Sequence, residues 1–252
     1  MGTMDPLGAL PQVRPVSADE VRRRLDGAAA VVFLDDDPTG TQTIRDLPVL
    51  TRWTVEDIAW ALRQRAPGLF VLTNIRSLGP SEAAARTREV VQACLSAGER
   101  EGRRPVFASR GDSTLRGHFP LDVDVVAEVV EASGGRVDGV LLAPAFTDAG
   151  RLTVGGVHWV RTPAGLIPAA DSEFARDATF GYASSRLSEW VEEKSAGRIP
   201  SGSVVEVTIE EIRTGTTASI RSRLDGVSGR QVVVLDAEED DDLRAVVLAV
   251  LE

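Results

Sequence analysis

The chain has 252 residues, 43% of them hydrophobic and 26% charged, ordinary proportions for a folded protein long enough to bury a sizeable core. Its formal net charge is −10 with acids and bases interleaved, a surface that repels phosphate backbones and argues against nucleic acid as a partner. A single cysteine and two histidines exclude an intrachain disulfide and a His/Cys zinc site, and no apolar run approaches the roughly 20 residues that span a bilayer.

Residues 1–20 lack a basic segment followed by an apolar one, so they are expected to form a flexible tail rather than a signal peptide, with 21–252 as one domain. The first buried-strand pattern is AAVVFL at 29–34. A helical pattern follows at 55–65, then a strand at 69–73 (LFVLT), a helix at 81–98 and a weaker strand at 105–108. A helix is predicted over 120–133 and a strand over 137–143. Residues 150–182 break the rhythm with Gly155, Gly156, Pro163, Gly165, Pro168 and Gly181, and read as a hairpin or long ordered loop. Residues 194–203 are linker-like, 231–235 (QVVVL) is a strong strand, and the acids at 238–242 are placed to cap a helix over 243–251. Continuous apolar strands separated by helices predict an α/β fold with a mostly parallel sheet and helices on both faces, three layers in all, carrying an insertion around 150–182.

Polar residues concentrate just after the strands, where an open parallel sheet builds its ligand crevice. After the first strand stand Asp35, Asp36 and Asp37. After the second come Arg76 and Ser77, and after the third Arg110, Asp112, Ser113, Arg116 and His118. After the fourth come Asp148 and Arg151. Arginine forks can grip a carboxylate bidentately, while Asp and Ser suit hydroxyls, so the pattern points to a small, polyhydroxylated anion. No GxxxxGK[ST] and no GxGxxG after a strand is present, so a nucleotide site is not expected on these residues.

The segments 36–42 (DDPTGTQ), 73–78 (TNIRSL), 110–118 (RGDSTLRGH), 143–151 (APAFTDAGR) and 173–182 (EFARDATFGY) resemble the four-carbon acid sugar kinase family, whose members phosphorylate acids such as threonate and erythronate. The resemblance runs from about residue 30 to the end. It implies the N-terminal, substrate-binding domain of an ATP-dependent kinase, with ATP and Mg²⁺ held mainly by a C-terminal nucleotide-binding domain that would follow. The expected roles are base or orienting group for Asp36 or Asp37, and substrate contacts for Arg76, Ser77, Arg110, Asp112, Ser113, Arg116, Asp148 and Arg151. The partners expected are a small sugar acid and that C-terminal domain, with no nucleic acid and no membrane. A homodimer is compatible, and a cytoplasmic setting fits the cysteine content. Two other readings compete. VVFL followed by Asp35-x-Asp37 also looks like the first motif of haloacid-dehalogenase-like phosphatases, with Asp35 as nucleophile, Asp37 as acid/base and Asp240-Asp241 as metal acids. A non-catalytic sugar-acid binding module is the third.

Overall fold

The computed structural model describes residues 7, 8, 10–25, 29–43 and 45–252. They fall into two compact units, one of Leu25–Asp112 with Gly117–Val137, the other of Met1–Arg24, Ser113–Arg116 and Asp138–Glu252.

The first unit is built on a four-stranded sheet. Strands β1 (Ala30–Asp35), β2 (Val49–Leu50), β3 (Gly68–Leu72) and β4 (Pro105–Arg110) lie in the order β2-β3-β1-β4, all parallel. Alternate β1 residues Ala30, Val32 and Leu34 are buried with Leu69 and Val71 of β3 against three helices. These are α2 (Val55–Arg63), α3 (Pro80–Glu101) and α4 (Leu121–Ala132), which contribute Ile58, Leu62, Val90, Val91, Cys94, Val125 and Val129. Fully burying each such aliphatic side chain stabilises the fold by about 1.5–3 kcal/mol. Local signals set the helix ends. The Thr54 side chain accepts the Asp57 N–H and opens α2. Pro80 starts α3, and Gly102, at φ 62°, stops it. Burial pushes the Cys94 thiol up to about 12, so it is an inert core residue.

The chain leaves β1 for β3 on one side and then crosses to β4 on the other, so the strand order reverses between β1 and β4. Such a reversal opens a crevice at the C-terminal strand ends, where ligands bind in open α/β sheets. The register places Asp35 at that reversal, level with Leu72 on one side and Arg110 on the other.

The second unit holds a parallel sheet β5-β10-β9 (Gly139–Leu142, Gln231–Leu235, Val205–Val207) and an antiparallel sheet β6-β7-β8 (Arg151–Val154, Val157–Thr162, Gly165–Pro168). Its helices are α1 (Ala18–Leu25, whose last residue falls in the first unit), α5 (Leu187–Lys194), α6 (Ile209–Thr214), α7 (Thr217–Asp225) and α8 (Asp240–Leu251). Val207, Ile212, Val233, Leu235, Ala245 and Leu248 form a core. Asp236, at the end of β10, is buried and accepts the N–H groups of Gly155 (2.7 Å), Gly156 (2.9 Å) and Ile209 (3.0 Å), pinning the β6–β7 turn. Burial pushes its carboxyl up against the pull of those three bonds.

The parallel α/β fold and the insertion are as the sequence predicts, the insertion being the β6-β7-β8 meander. The parallel strands, however, divide between two sheets. The tail expectation fails for residues 11–16, because Val16 is buried in the second core and the Pro11 carbonyl accepts a hydrogen bond from Arg213 (2.9 Å). Residues 1–6 of that tail lie outside the described residues. The acids at 238–242 do cap α8, through a reciprocal pair of bonds between Glu239 and Asp242. No helix of the described residues is long and apolar enough to cross a membrane.

Candidate functional site

In the first unit the loops after β1 and β3 are stitched together by backbone. The Thr73 N–H (2.8 Å), the Thr73 hydroxyl (2.8 Å) and the Asn74 N–H (3.2 Å) all donate to the Asp35 carbonyl, and the Arg76 N–H donates to that of Asp36 (3.2 Å). Asn74 takes a left-handed φ of 52°, a conformation asparagine tolerates better than most residues, and so turns the chain back. The Arg76 guanidinium then grips Asp36 with both prongs, Nε to Oδ2 at 2.9 Å and Nη2 to Oδ1 at 2.5 Å, and lies 3.6 Å from Asp37. Gly117, beside this pair, takes a φ of 148°, a backbone that favours glycine, although a Cβ there would make only ordinary contact with Asp36 Oδ2 at 3.4 Å. His118 braces the same loop, its Nε2 lying 3.0 Å from the Ile75 carbonyl and 3.1 Å from that of Leu78.

The three adjacent carboxylates differ in environment. Burial pushes Asp36 up more strongly than Arg76 pulls it down, while Arg76, despite its own burial, is held charged by Asp36. Asp37 accepts the hydroxyl (2.5 Å) and N–H (2.9 Å) of Thr39, and those bonds hold it below the usual carboxylate range. Asp35 is fully buried, and neither of its oxygens has a hydrogen-bond partner among the described residues. Burial drives it up to about 6, opposed chiefly by the charge of Arg110. Gly40 closes over it, and a Cβ at that position would collide with the Asp35 carboxylate, so only glycine fits there.

The Arg110 carbonyl accepts the Asp36 N–H (3.3 Å), while its half-buried guanidinium makes no hydrogen bond or ion pair among the described residues. Asp112 lies near enough for its charge to bear on Asp36 and Arg76. Ser77 is exposed and bonds the Asn74 carbonyl (2.9 Å). The structure therefore brings Asp35, Asp36, Asp37, Arg76, Arg110 and Asp112 together at one set of strand ends.

Ser113, Arg116, Asp148 and Arg151 belong to the second unit. There the Arg116 guanidinium lies 5.1 Å from the Phe174 ring centroid and that of Arg151 lies 5.7 Å from the same centroid. Arg116 also lies 3.8 Å from Asp177, and Arg151 Nη1 donates to the Ala149 carbonyl (2.6 Å). The N–H groups of Phe180 and Thr179 hold Asp177 below its ordinary value. Asp148 is exposed on the turn between β5 and β6. Sequence alone assigns Phe174 and Asp177 no role, although both stand in the 173–182 motif. Asp240 and Asp241, the acids offered to a phosphatase metal, are tied to Arg244, and Asp240 also accepts the Thr147 hydroxyl (2.8 Å).

A parallel sheet whose strand-order reversal gathers carboxylates and arginines at its strand ends defines the chain as an α/β protein with a charged candidate site. The chain belongs to the family of sugar-binding N-terminal domains of four-carbon acid sugar kinases; the model of the sugar-binding N-terminal domain matches residues 31–252. It is 29% identical over 178 residues to a D-erythronate kinase of Heliobacterium modesticaldum, a match covering 69% of this chain and 36% of that protein. Among solved structures it resembles a domain of unknown function from Bordetella bronchiseptica, a domain-swapped dimer with bound citrate, at 26% identity and TM-score 0.65 over 89% of this chain and 52% of that one. A Haemophilus influenzae protein shares the fold at 14% identity, with TM-score 0.60 over 87% of this chain and 55% of that one. The chain thus spans about a third to a half of the length of these relatives.

Proposed function

We propose that the chain binds a four-carbon sugar acid, of the erythronate or threonate class, for an ATP-dependent kinase that phosphorylates the acid's terminal hydroxyl. The observation that carries this reading is Arg110, a guanidinium at the strand-order reversal with no ion pair among the described residues, set beside buried acids. Arg110 is assigned the substrate carboxylate. Asp37, half-exposed and ionised, orients the accepting hydroxyl, and Asp36 serves by holding Arg76 in place. Ser77 and Asp112 offer partners to the remaining hydroxyls. For the second unit taken by itself, Ser113, Arg116, Asp148 and Arg151 are proposed as contacts for a sugar acid. The likeness to a D-erythronate kinase, and the citrate in the Bordetella structure, support a small hydroxy-carboxylate.

The strand-end residues do not fit ATP. Three consecutive carboxylates would repel a triphosphate, and the described residues hold no group of three or more His, Cys, Asp or Glu placed for a metal ion. ATP and Mg²⁺ are assigned to a C-terminal nucleotide-binding domain. A cytoplasmic location fits the buried, reduced Cys94, and self-association is proposed by likeness to the Bordetella dimer.

The division of labour has a direct test. Residues 1–252 incubated with MgATP and D-erythronate are expected to release no ADP above background, whereas a full-length relative carrying both domains releases it steadily. ADP release by the 252-residue chain alone would place a nucleotide site within it and overturn the assignment.

A further inference from the structure

Residues Ser113–Arg116 are held within the second unit by two buried side chains from elsewhere in it. His158, on β7, is fully buried, and its Nε2 lies 2.7 Å from the Ser113 carbonyl oxygen. A carbonyl can only accept, so Nε2 carries the proton. The other ring nitrogen lies 3.0 Å from the Thr153 hydroxyl on the neighbouring strand β6. Thr153 is itself fixed, its N–H donating to the Ala237 carbonyl and its carbonyl accepting the Ala237 N–H, both at 2.9 Å. Tyr182, also buried, donates its hydroxyl to the next carbonyl along, that of Thr114, at 2.9 Å.

Two successive carbonyls are thus gripped by two separate elements. The residue that follows, Leu115, is buried with a φ of 67°, a left-handed backbone that a bulky side chain adopts only when its surroundings over-determine it. Strain of this kind gathers at ligand clamps. The next residue is Arg116, whose guanidinium lies over Phe174 and near Asp177. Phe174, Asp177 and Tyr182 sit on one short stretch that is tied to itself, with the Tyr182 N–H on the Ala175 carbonyl (3.1 Å) and the Gly181 N–H on that of Asp177 (3.0 Å). The element that carries the ring beneath Arg116 therefore also carries the hydroxyl that holds the peptide before it.

We propose that His158 and Tyr182 are positioning residues for ligand binding: by gripping the Ser113 and Thr114 carbonyls they keep Leu115 in its left-handed conformation and so fix the Arg116 guanidinium as a contact for a bound sugar acid. The proposal rests on the sugar-acid reading above. It gives a ligand-directed role to a histidine that lies outside every recognised motif of the chain, and to a tyrosine at the end of one.

The test is calorimetric titration of D-erythronate into the whole chain and its variants. Tyr182→Phe keeps the ring and its packing and removes only the hydroxyl. It is expected to weaken binding roughly tenfold, as is His158→Leu, the scale of one lost neutral hydrogen bond at a site that must be pre-organised. His158→Gln, whose side-chain amide can donate to the same carbonyl, should recover most of the loss. In an Arg116→Ala background, Tyr182→Phe should cost less than about twofold, because the residue through which it acts is gone. Parent-like binding in Tyr182→Phe, or losses that multiply independently with Arg116→Ala, would overturn the proposal. Should His158→Leu fail to fold, Tyr182→Phe decides alone. If the parent binds no sugar acid, the functional reading falls, and amide exchange judges the positioning. Faster exchange at 114–117 in Tyr182→Phe than in the parent supports a held conformation, and unchanged exchange refutes it.

Discussion

Asp35→Asn is expected to make the protein more stable than its parent at pH 7.5, with the gain vanishing below about pH 4. Asp35 is buried at the end of β1 with neither oxygen hydrogen-bonded among the described residues, and burial raises it from 3.8 to about 6. A carboxyl raised in the folded state is protonated there while the unfolded chain has already ionised. The stability it confers is whole below the unfolded value and is lost as pH climbs through the folded one. The difference of about 2 pH units corresponds to about 3 kcal/mol, at about 1.4 kcal/mol per unit. An amide at the same position removes the charge and with it the loss, less whatever its own hydrogen-bonding groups cost when buried. Other carboxyls titrate over the same range, so the quantity to measure is the difference between variant and parent in urea midpoint at pH 4 and pH 7.5. A variant equal to or weaker than its parent at pH 7.5 would show that Asp35 is well solvated or paired when ionised.

The opposite result is expected at Arg213→Ala, which should cost about 3–5 kcal/mol, the scale for breaking a buried ion pair from one side. The Arg213 side chain is 3% exposed and that of Asp242 is 1% exposed. Arg213 Nε donates to Asp242 Oδ1 (2.9 Å) and Nη2 to Oδ2 (2.8 Å), with a further bond from Nη2 to Glu238 (2.8 Å). Burial alone would push Asp242 up. The bonds from Arg213 and from the N–H groups of Glu239 and Glu238 outweigh it, and Asp242 ends below the usual carboxylate range. Truncating the arginine leaves a buried charge with only the start of α8 to answer it, and frees the Pro11 carbonyl as well. The loss should appear as a drop in denaturation midpoint with little change in slope. A cost under about 1 kcal/mol, the range of exposed pairs, would contradict the buried network.

Strands β1, β3 and β10 were legible because each is largely a run of buried aliphatic and aromatic residues. Strands β2 and β9 were not, because two and three residues carry no period to detect. Nor was the division into two sheets legible. β4, the weaker pattern, and β5, the stronger, both read as strands, and hydrogen-bond partners, which apolar runs do not encode, decide which sheet each joins. At the candidate site, sequence identified the chemistry and the strand ends but not the pairing. Arg76 could be chosen as a clamp for a substrate carboxylate, yet Asp36, 40 residues earlier, already occupies both of its prongs. Asp35 and Asp37 are near neighbours of identical type, and only burial under Gly40 and the Thr39 hydroxyl set them apart. Val16 was hidden in a stretch with no periodicity, and only the packing of the second core shows that it is anchored.

The most direct measurement of the central claim is calorimetric titration of the 252-residue chain with D-erythronate and with erythritol, its uncharged polyol counterpart, for the parent and Arg110→Ala. With Arg110 gripping the carboxylate, the acid should bind the parent at least roughly tenfold more tightly than the polyol, since hydrogen bonds to charged groups contribute about 1.5–3 kcal/mol. Arg110→Ala should erase that preference while its melting temperature stays close to the parent's, because the guanidinium makes no ion pair among the described residues for the fold to lose. Equal affinity of the parent for acid and polyol, or an undiminished preference for the acid in Arg110→Ala, would contradict the account.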